Sequence, residues 1–416
     1  MKHPERHFFE QTPQTLEEWC LEHRWPRYRA MQVLEWVYQK GVISPDEMSN
    51  LSKYDRRTLS ESFTFLSGRI VRHQVATDRT QKLLIDWTDG APAMPITDPL
   101  EGTIARSPSH VESDGDDPSR AGPAAHTDED DPIDPPAVSM SLSILGRSDA
   151  PDASRQTECV MIPADDRRTA CVSSQVGCPV GCRFCASGVG GLDSNLSAGR
   201  IIEQVWRLGR LPEVGRISNV VFMGMGEPLA NLSNVVAAIR TICSLWALGI
   251  SARKVTVSTV GLPQAIRRLA RELDLPVTLA LSLHAPNDQV RRSLIPWAHY
   301  TTIEELLGAC REWFEKTGRE ITLEYTLLRG VNDRPEHADE LARIARTLRS
   351  NVNLIRYNEV AGMPFHRPRT DDVIEFQRLL RSRNINAHIR ASRGRDIAAA
   401  CGQLRHESPR DRVRSP

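Results

Sequence analysis

The 416-residue sequence lacks any long apolar run and carries no net charge. No apolar stretch approaches the ~20 residues that a membrane-spanning helix needs. The N-terminus, MKHPERHFFEQTPQ, also lacks the apolar segment of a secretory signal. We therefore expect a cytoplasmic protein with no membrane partner. Thiols stay reduced in the cytoplasm, so the nine cysteines are better explained as metal ligands or redox groups than as a disulfide framework.

Charge is unevenly distributed along the chain. Residues 98–157 contain 13 acidic and 4 basic side chains, a net charge of −9, so the remaining residues carry +9. A basic body is compatible with a nucleic-acid partner, although ordinary surface charge would give the same count. The acidic stretch is rich in Asp, Pro, Gly and Ser and has no sustained period, which predicts a disordered insert over residues 95–155.

The two sides of the insert have different patterns. Before it, apolar residues spaced by three and four over residues 14–63 predict helices, and RIVRHQVA and KLLIDWTDG predict two strands. After it, strands and helices alternate in about six β/α units, with a short last strand near NAHIRAS. Such repeats form a parallel sheet with right-handed crossovers. Six units suit an α/β fold with a partial (β/α)6 TIM-like barrel, whose chemistry lies at the C-terminal ends of the strands.

These patterns predict four regions. They are an N-terminal helical/β accessory domain (1–94), the acidic disordered insert (95–155), the barrel core (156–405) and a disordered tail (406–416).

The most informative stretch is CVSSQVGCPVGCRFC, residues 171–185. Cys178, Cys182 and Cys185 are spaced C-x3-C-x2-C in the loop after the first strand of the barrel region. Thiolates hold zinc ions or iron–sulfur clusters, and a structural zinc site takes four ligands. A second close pair is missing here, unless Cys171 serves. On the residues alone, zinc and an iron–sulfur centre with an open position both remain open.

The spacing, with Phe184 before the last cysteine, resembles the motif of the radical-SAM superfamily. That resemblance implies a [4Fe-4S] cluster held by Cys178, Cys182 and Cys185, with its fourth iron open for S-adenosylmethionine. It also implies that Gly224–Pro228, which follows the next strand, lies against the methionine part of this cofactor. A glycine pair after a strand is otherwise most often a turn.

Longer motifs carry the resemblance further. CVSSQVGCPVGCRFCASG, VVFMGMGEPLANLSNV, VTVSTVGLP, LALSLHAPND, LLRGVNDRPEHADEL and RGRDIAAACGQL resemble the RlmN family of dual-specificity RNA adenine-C2 methyltransferases. The N-terminal PRYRAMQVLEWVYQKG resembles the accessory domain of that family. The resemblance implies methylation of adenosine C2 in large-subunit ribosomal RNA and in transfer RNA, with two S-adenosylmethionine molecules per turnover. It also implies a monomer and an electron donor such as a flavodoxin system.

The same resemblance assigns roles to individual residues. Cys401 becomes S-methylated, Glu158 accepts a proton, and Cys171 attacks the Cys401 sulfur to release the methylated RNA, which leaves a Cys171–Cys401 disulfide. The implied contacts with S-adenosylmethionine are Gly226, Glu227, Ser258, Ser282, Leu283, His284 and Asn358. Without the resemblance, Glu158 would be interpreted as a solvated charge and Cys401 as a small buried residue.

We expect the remaining cysteines to be small buried residues. They are Cys20, Cys159, Cys243 and Cys310.

Two other functions stay open. One is the related adenine-C8 methyltransferase of the antibiotic-resistance type, which shares the cluster and both catalytic cysteines. The other is an RNA-binding protein with structural zinc.

Two features depart from the usual pattern of the family. One is the long acidic insert. The other is LIRYNEVAG, which lacks the prolines often found beside the asparagine that Asn358 matches.

Overall fold

The computed structural model describes residues 5–87 and 155–404, and these residues belong to one compact unit. The disorder predicted for the insert and for the tail concerns residues outside these ranges, apart from Arg155 at the end of the insert. None of the described helices is both long and apolar enough to cross a membrane.

Twelve strands occur in the described residues. They are β1 (Arg69–Val75), β2 (Gln81–Asp86), β3 (Gln156–Ala164), β4 (Arg167–Cys171), β5 (Gln175–Gly177), β6 (Leu192–Asn195), β7 (Asn219–Phe222), β8 (Val255–Thr259), β9 (Thr278–Ser282), β10 (Ile321–Leu327), β11 (Ser350–Arg356) and β12 (Ala387–Arg390).

Ten of these strands form one mixed sheet in the order β1-β2-β3-β4-β7-β8-β9-β10-β11-β12. From β4 to β12 every neighbouring pair is parallel, and from β1 to β4 every pair is antiparallel. The parallel part contains six consecutive β/α units followed by the short strand β12, which confirms the predicted partial barrel. The two remaining strands, β5 and β6, pair with each other in a small hairpin.

Ten α-helices occur in the same residues. They are α1 (Pro13–Glu22), α2 (Tyr28–Tyr38), α3 (Lys53–Ser62), α4 (Ala198–Leu208), α5 (Leu232–Cys243), α6 (Pro263–Glu272), α7 (Asp288–Leu294), α8 (Ile303–Thr317), α9 (Pro335–Arg346) and α10 (Thr370–Ser382).

The ends of α8 illustrate how the sequence delimits these helices. Thr302 accepts a hydrogen bond from the backbone N–H of Glu305, and the Glu305 side chain accepts one from the backbone of Thr302. This reciprocal pair satisfies two of the N–H groups that a helix start leaves unbonded. At the other end Gly318 takes a left-handed conformation with φ of 65°, which costs glycine little.

The N-terminal strands are continuous with the barrel. The sequence places the β1–β2 hairpin in the accessory domain, yet β2 pairs along its whole length with β3, and β3 pairs with the first barrel strand. Every residue of α4 is buried, because α4 packs between the barrel and the N-terminal residues. The hairpin therefore extends the barrel sheet.

Candidate active site

A cavity opens at the carboxyl ends of the parallel strands. It encloses about 890 Å³ of empty space, its open mouth included, which is within the usual range for cofactor pockets. The residues that the sequence singles out and that line this cavity are Cys178, Cys182, Phe184, Cys185, Gly224, Gly226, Glu227, Pro228, Ser258, Ser282, His284 and Cys401. Four predicted site residues are not part of its lining, namely Glu158, Cys171, Leu283 and Asn358.

The three motif cysteines lie on one loop between β5 and β6. The backbone N–H of Cys178 donates to the carbonyl of Gly191 at 2.9 Å, which closes the base of the loop, and that of Cys185 donates to the carbonyl of Cys182 at 3.1 Å. Phe184 is buried in an apolar cluster that also includes residues of α7 and of the β8 end. The loop is thus anchored by its apolar side chain while the cysteines face the cavity.

Burial makes these three thiols weak acids. It raises the pKa of Cys178 to about 12 and raises that of Cys182 well above its ordinary value, where the neighbouring Cys185 and Cys178 add to the effect. Three thiolates in such a place need a cationic centre to offset their charge. In the described part of the chain, no group of three Cys, His, Asp or Glu side chains has the arrangement of a metal-ion site. Cysteine thiolates are the ligands of iron–sulfur clusters, so the donor set on this loop fits such a cluster.

The two glycines of GMGEP are required by the chain itself. A Cβ added to Gly224 would lie 2.7 Å from the carbonyl oxygen of Val172 and from Oγ of Ser173. One added to Gly226, whose φ is +103°, would lie 2.7 Å from Cβ of Gln175. The missing Cβ atoms therefore allow close packing against the segment after β4. This packing, in addition to the ligand approach expected from the sequence, explains the glycines.

Glu227 is a buried carboxyl group in the cavity wall. Its Oε2 accepts a hydrogen bond from the backbone N–H of Val260 at 2.8 Å, and its Oε1 accepts one from Leu229 at 3.0 Å. Burial raises the pKa of Glu227 to about 6, against the opposing effect of these two N–H groups. The group is therefore mainly ionised at neutral pH and can accept hydrogen bonds from a cationic ligand.

The strands β8 and β9 present two serines and a histidine to the same cavity. Oγ of Ser258 lies 3.2 Å from Oγ of Ser282. Nδ1 of His284 accepts a hydrogen bond from the backbone N–H of Thr326 at 3.0 Å, and burial lowers the pKa of His284 to about 3. His284 is therefore neutral, with its proton on Nε2 as a donor. Leu283, between Ser282 and His284 in the sequence, is fully buried in the core.

The C-terminal segment brings Cys401 to the cysteine loop. The backbone N–H of Ala186 donates to the carbonyl of Gly402 at 2.8 Å, and Oγ of Ser187 donates to the carbonyl of Leu404 at 2.7 Å. On the other side of Cys401, Nδ2 of Asn358 donates to the Cys401 carbonyl at 3.4 Å. Asn358 thus contacts the backbone of the predicted methyl acceptor, although it does not line the cavity.

Cys171 ends β4 and is buried beside the cavity. It lies in an apolar cluster with Met225, Ile397 and other residues. Burial raises the pKa of Cys171 to about 12; the charge of Cys401 adds to the increase, and the Arg390 guanidinium opposes it. The two predicted catalytic cysteines are therefore electrostatic neighbours, although only Cys401 lines the cavity.

Glu158 lies on β3 and is paired with a lysine. Its Oε1 is 2.7 Å from Nζ of Lys82, and Nζ of Lys82 also donates to the carbonyl of Ala398 at 3.1 Å. The pair is nearly buried. The alternative interpretation of Glu158 as a solvated charge does not hold, because the carboxylate is held in place by a buried ammonium group.

The sequence reasoning missed two charged residues of the cavity wall, Glu324 and Arg390. Oε1 of Glu324 accepts a hydrogen bond from Nδ2 of Asn353 at 3.0 Å, and its Oε2 lies 4.0 Å from Nη1 of Arg390. The sequence could have indicated Glu324, because it interrupts the apolar run ITLEYTLL. Charged residues are rarely buried in a strand unless they are paired or functional.

The expectation that the remaining cysteines are buried is confirmed for Cys20, Cys159 and Cys310, which lie in the main core. Cys243 is only partly buried and packs against that core.

Comparison with known proteins gives two family matches and full-length relatives. Residues 7–64 match the model of the ribosomal RNA large subunit methyltransferase N-terminal domain, and residues 172–342 match that of the radical SAM superfamily. A protein of Gloeobacter violaceus named "Probable dual-specificity RNA methyltransferase RlmN" is 39% identical over 402 residues, which cover 96% of this chain and 94% of that protein. One of the same name from Thermosynechococcus vestitus is 40% identical over 94% of this chain and 95% of its own length. The chain belongs to the RlmN family.

A solved structure agrees with this membership. The crystal structure of a radical SAM methyltransferase from Sphaerobacter thermophilus has a TM-score of 0.79 and 36% identity, and the match covers 97% of this chain and 100% of that one. As an RlmN family member the chain is an RNA methyltransferase. Its cofactors are a [4Fe-4S] cluster and S-adenosylmethionine, those of the radical SAM superfamily.

Proposed function

We propose that this RlmN family member methylates carbon 2 of adenosine in large-subunit ribosomal RNA and in transfer RNA, with the methyl carbon carried on Cys401. The observation that supports this most is the presence of Cys401 in the wall of the cavity that Cys178, Cys182 and Cys185 also line. Carbon 2 of adenine is electron-poor and has no acidic proton, so direct displacement at a methyl sulfonium does not suffice. A carbon held on a protein thiol beside the cluster site can instead be activated in place.

The donor set of the cavity fits both cofactors. Cys178, Cys182 and Cys185 would hold the [4Fe-4S] cluster, which when bound supplies the one-electron reductive cleavage of S-adenosylmethionine. The proposed contacts with S-adenosylmethionine are Gly226, Glu227, Ser258, Ser282, Leu283, His284 and Asn358. Ionised Glu227 suits the amino group of the cofactor, and neutral His284 offers an Nε2–H donor.

Cys401 is the proposed nucleophile toward the methyl sulfonium. Arg390 supports this role, because the charges of Cys401, Glu324 and Cys171 all raise the pKa of its guanidinium against the effect of burial. The Arg390 cation opposes the rise in the pKa of Cys171 that burial causes, and a thiolate is the attacking species in such chemistry. The hydrogen bond from Asn358 to the Cys401 carbonyl helps to fix the position of the sulfur.

Cys171 and Glu158 complete the proposed set. Cys171 would attack the sulfur of Cys401, which breaks the bond between that sulfur and the transferred carbon and forms the Cys171–Cys401 disulfide. The released carbon, still bonded to carbon 2 of adenosine, takes up a proton and becomes the methyl group. Glu158 would accept the proton that leaves carbon 2. Its ion pair with Lys82, and the bond from Lys82 to the Ala398 carbonyl, link this base to the segment that carries Cys401.

Further parts of the proposal concern the surroundings of the enzyme. We expect a cytoplasmic monomer that receives electrons from a donor such as a flavodoxin system. The domain limits that we propose are 1–94, 95–155, 156–405 and 406–416, with RNA recognition in the first.

Two cysteine variants test the proposed roles separately. Cys401→Ala should form no covalent adduct with RNA, since no methyl acceptor is present. Cys171→Ala should methylate Cys401 and react with adenosine but fail to release it, giving a protein–RNA species that resists denaturant and is removed by nuclease. Cys243→Ala, on the outer helix α5, is the matched control and should turn over normally. Normal turnover of Cys171→Ala without a trapped species would refute its resolving role.

Nucleoside mass spectrometry of the product RNA tests the position of methylation. RNA from cells that lack and then regain the protein should show 2-methyladenosine only when the protein is present. 8-Methyladenosine in its place would identify the C8 enzyme. Protein that is colourless after anaerobic purification and holds zinc without iron would contradict both methyltransferase functions.

A further inference from the structure

Arg291 is a fully buried arginine whose guanidinium is only partly hydrogen-bonded. It lies on α7 with 0% exposure, and its Nη2 donates to the carbonyl of Val260 at 2.5 Å. Its Nε and Nη1 are also buried, and neither finds a hydrogen-bond partner among residues 5–87 and 155–404. A buried cation with two unpaired donors is costly, and an anionic group from outside the polypeptide would offset that cost.

The surroundings of Arg291 connect it to the cysteine loop. The carbonyl of Leu294, on the same helix, accepts a hydrogen bond from the backbone N–H of Arg183 at 2.9 Å. Leu294 shares one apolar cluster with Phe184 and with the side chain of Cys182. Helix α7 therefore packs directly against the loop that carries the three cysteines.

The charge of Arg291 acts on this loop. Burial lowers the pKa of Arg291 to about 10, while Cys182 and Asp288 oppose that decrease, so the group stays protonated at neutral pH. Arg291 and Cys182 are thus close enough for their charges to interact. Arg291 is not itself part of the cavity lining. Its charge nevertheless reaches His284, which does line the cavity.

We propose that Arg291 is the counter-cation of the iron–sulfur cluster, a buried positive charge whose unpaired N–H groups are satisfied only when the cluster is bound. The inference rests on the proposed cluster ligands Cys178, Cys182 and Cys185. Three thiolates and the sulfides of a cluster give an anionic group, and charge and hydrogen bonds near the sulfurs set its reduction potential. Arg291 is thus a positioning and tuning residue for the cluster.

Two consequences distinguish this role from ordinary packing. Without the cluster, the guanidinium contributes little to the fold, so Arg291→Met should melt close to the wild type when both proteins are free of iron. With the cluster, the wild type should gain more thermal stability than Arg291→Met. Loss of the cation should also make the cluster harder to reduce. We expect at least a tenfold change in the one-electron reduction equilibrium, which corresponds to a shift of about 59 mV toward negative potential.

The test compares four full-length proteins, iron-free and after anaerobic reconstitution: wild type, Arg291→Met, Arg291→Lys and Arg292→Met. Arg292 is the neighbouring, partly exposed arginine of the same helix and serves as the control. Iron and sulfide content, melting temperature and the midpoint potential from an electron paramagnetic resonance titration are measured for each. We expect Arg292→Met to match the wild type and Arg291→Lys, which keeps the charge, to recover part of the shift seen in Arg291→Met.

Each other outcome has a definite meaning. An Arg291→Met protein with wild-type potential and wild-type gain in stability on reconstitution overturns the proposal. So does an iron-free Arg291→Met that fails to fold where the iron-free wild type folds, because the guanidinium would then serve the polypeptide. A shift that occurs only after S-adenosylmethionine is added would assign the cation to that cofactor, and equal shifts for Lys and Met would exclude a charge effect. A wild type that binds no iron contradicts the proposed function instead.

Discussion

Replacing Glu203 by glutamine should weaken the attachment of the N-terminal residues to the barrel. Glu203 lies on α4 with 0% exposure. Its Oε2 accepts hydrogen bonds from Nε2 of His7 at 3.0 Å and from the backbone N–H and the hydroxyl of Ser67 at 2.9 and 3.0 Å. Its Oε1 accepts from the N–H of Gly68 at 3.1 Å and from Nε of Arg207 at 2.8 Å. Both carboxylate oxygens of Glu203 accept hydrogen bonds from donors. The NH2 group of a glutamine in this place would therefore face other N–H or O–H donors and lose those hydrogen bonds.

The size of the effect follows from the charge of this carboxylate. Burial alone would raise the pKa of Glu203, but Arg207, His7 and the N–H of Ser67 outweigh it and lower the pKa to about 2 from a reference of 4.5. At about 1.36 kcal/mol per pKa unit, this corresponds to roughly 3 kcal/mol of stability. Loss of one partner from a buried ion pair costs about 3–5 kcal/mol in other proteins. We therefore expect Glu203→Gln to lower the free energy of unfolding by about 3 kcal/mol at pH 7.

The pH dependence provides a second check. Because the pKa of Glu203 is lower in the folded state, its contribution is complete above the unfolded value and is lost as the pH falls from about 4.5 to about 2. Urea unfolding curves of the two proteins should therefore differ most at neutral pH and converge as the solution becomes acidic. Glu312→Gln, in an exposed pair with Arg267, should change little at any pH. A single hydrogen bond typically contributes about 1 kcal/mol to stability. This account of the attachment would be refuted if the free energy of unfolding of Glu203→Gln at pH 7 lay within about 1 kcal/mol of the wild-type value.

Three further outcomes are expected. Cys182→Ala should lose its iron and all cleavage of S-adenosylmethionine, and full iron content in that variant, measured beside Cys243→Ala, would count against the cluster assignment. Replacement of residues 100–150 by a short flexible linker should leave methylation largely intact and should not weaken RNA binding at moderate salt, since a segment of net negative charge repels phosphate; a deletion that unfolds the protein would contradict this. Gly226→Ala should reduce the yield of folded protein as well as cofactor binding, because a Cβ there would lie 2.7 Å from the Gln175 side chain and the φ of +103° disfavours other residues; normal folding measured by circular dichroism would contradict the packing argument.

Much of the barrel could be predicted from the sequence because its signals are local. In each β/α unit the spacing of apolar residues changes from that of a strand to that of a helix. The motifs that contain Cys178, Gly226, Ser258 and Ser282 each follow a strand, and in a parallel barrel the ends of the strands meet at one cavity. The pairing of β2 with β3 could not be predicted in this way. Those strands are separated by the whole insert, and periodicity identifies a strand without identifying its neighbour.

The charged residues of the site show the same limit. Glu324 was recognisable as a charge within an apolar strand, but its approach to Arg390 on β12 depends on how far the sheet curves. Arg291 gave no signal at all, since RRSL at the end of a short helix is typical of a solvated surface. Only burial in three dimensions distinguishes Arg291 from Arg292, its neighbour in the chain.

The segment that carries Cys401 is fastened at both ends by parts of the chain that are remote from it in sequence. Near its start, the N–H of Gly394 donates to Asp78 and the carboxylate of Asp396 accepts from the N–H of Thr77, both in the turn of the β1–β2 hairpin. At its end, Gly402 and Leu404 are bonded to the cysteine loop. The position of Cys401 therefore depends on the hairpin turn, although that turn does not line the cavity. Substitutions at Asp78 or Thr77 are expected to affect the methyl acceptor from outside the site.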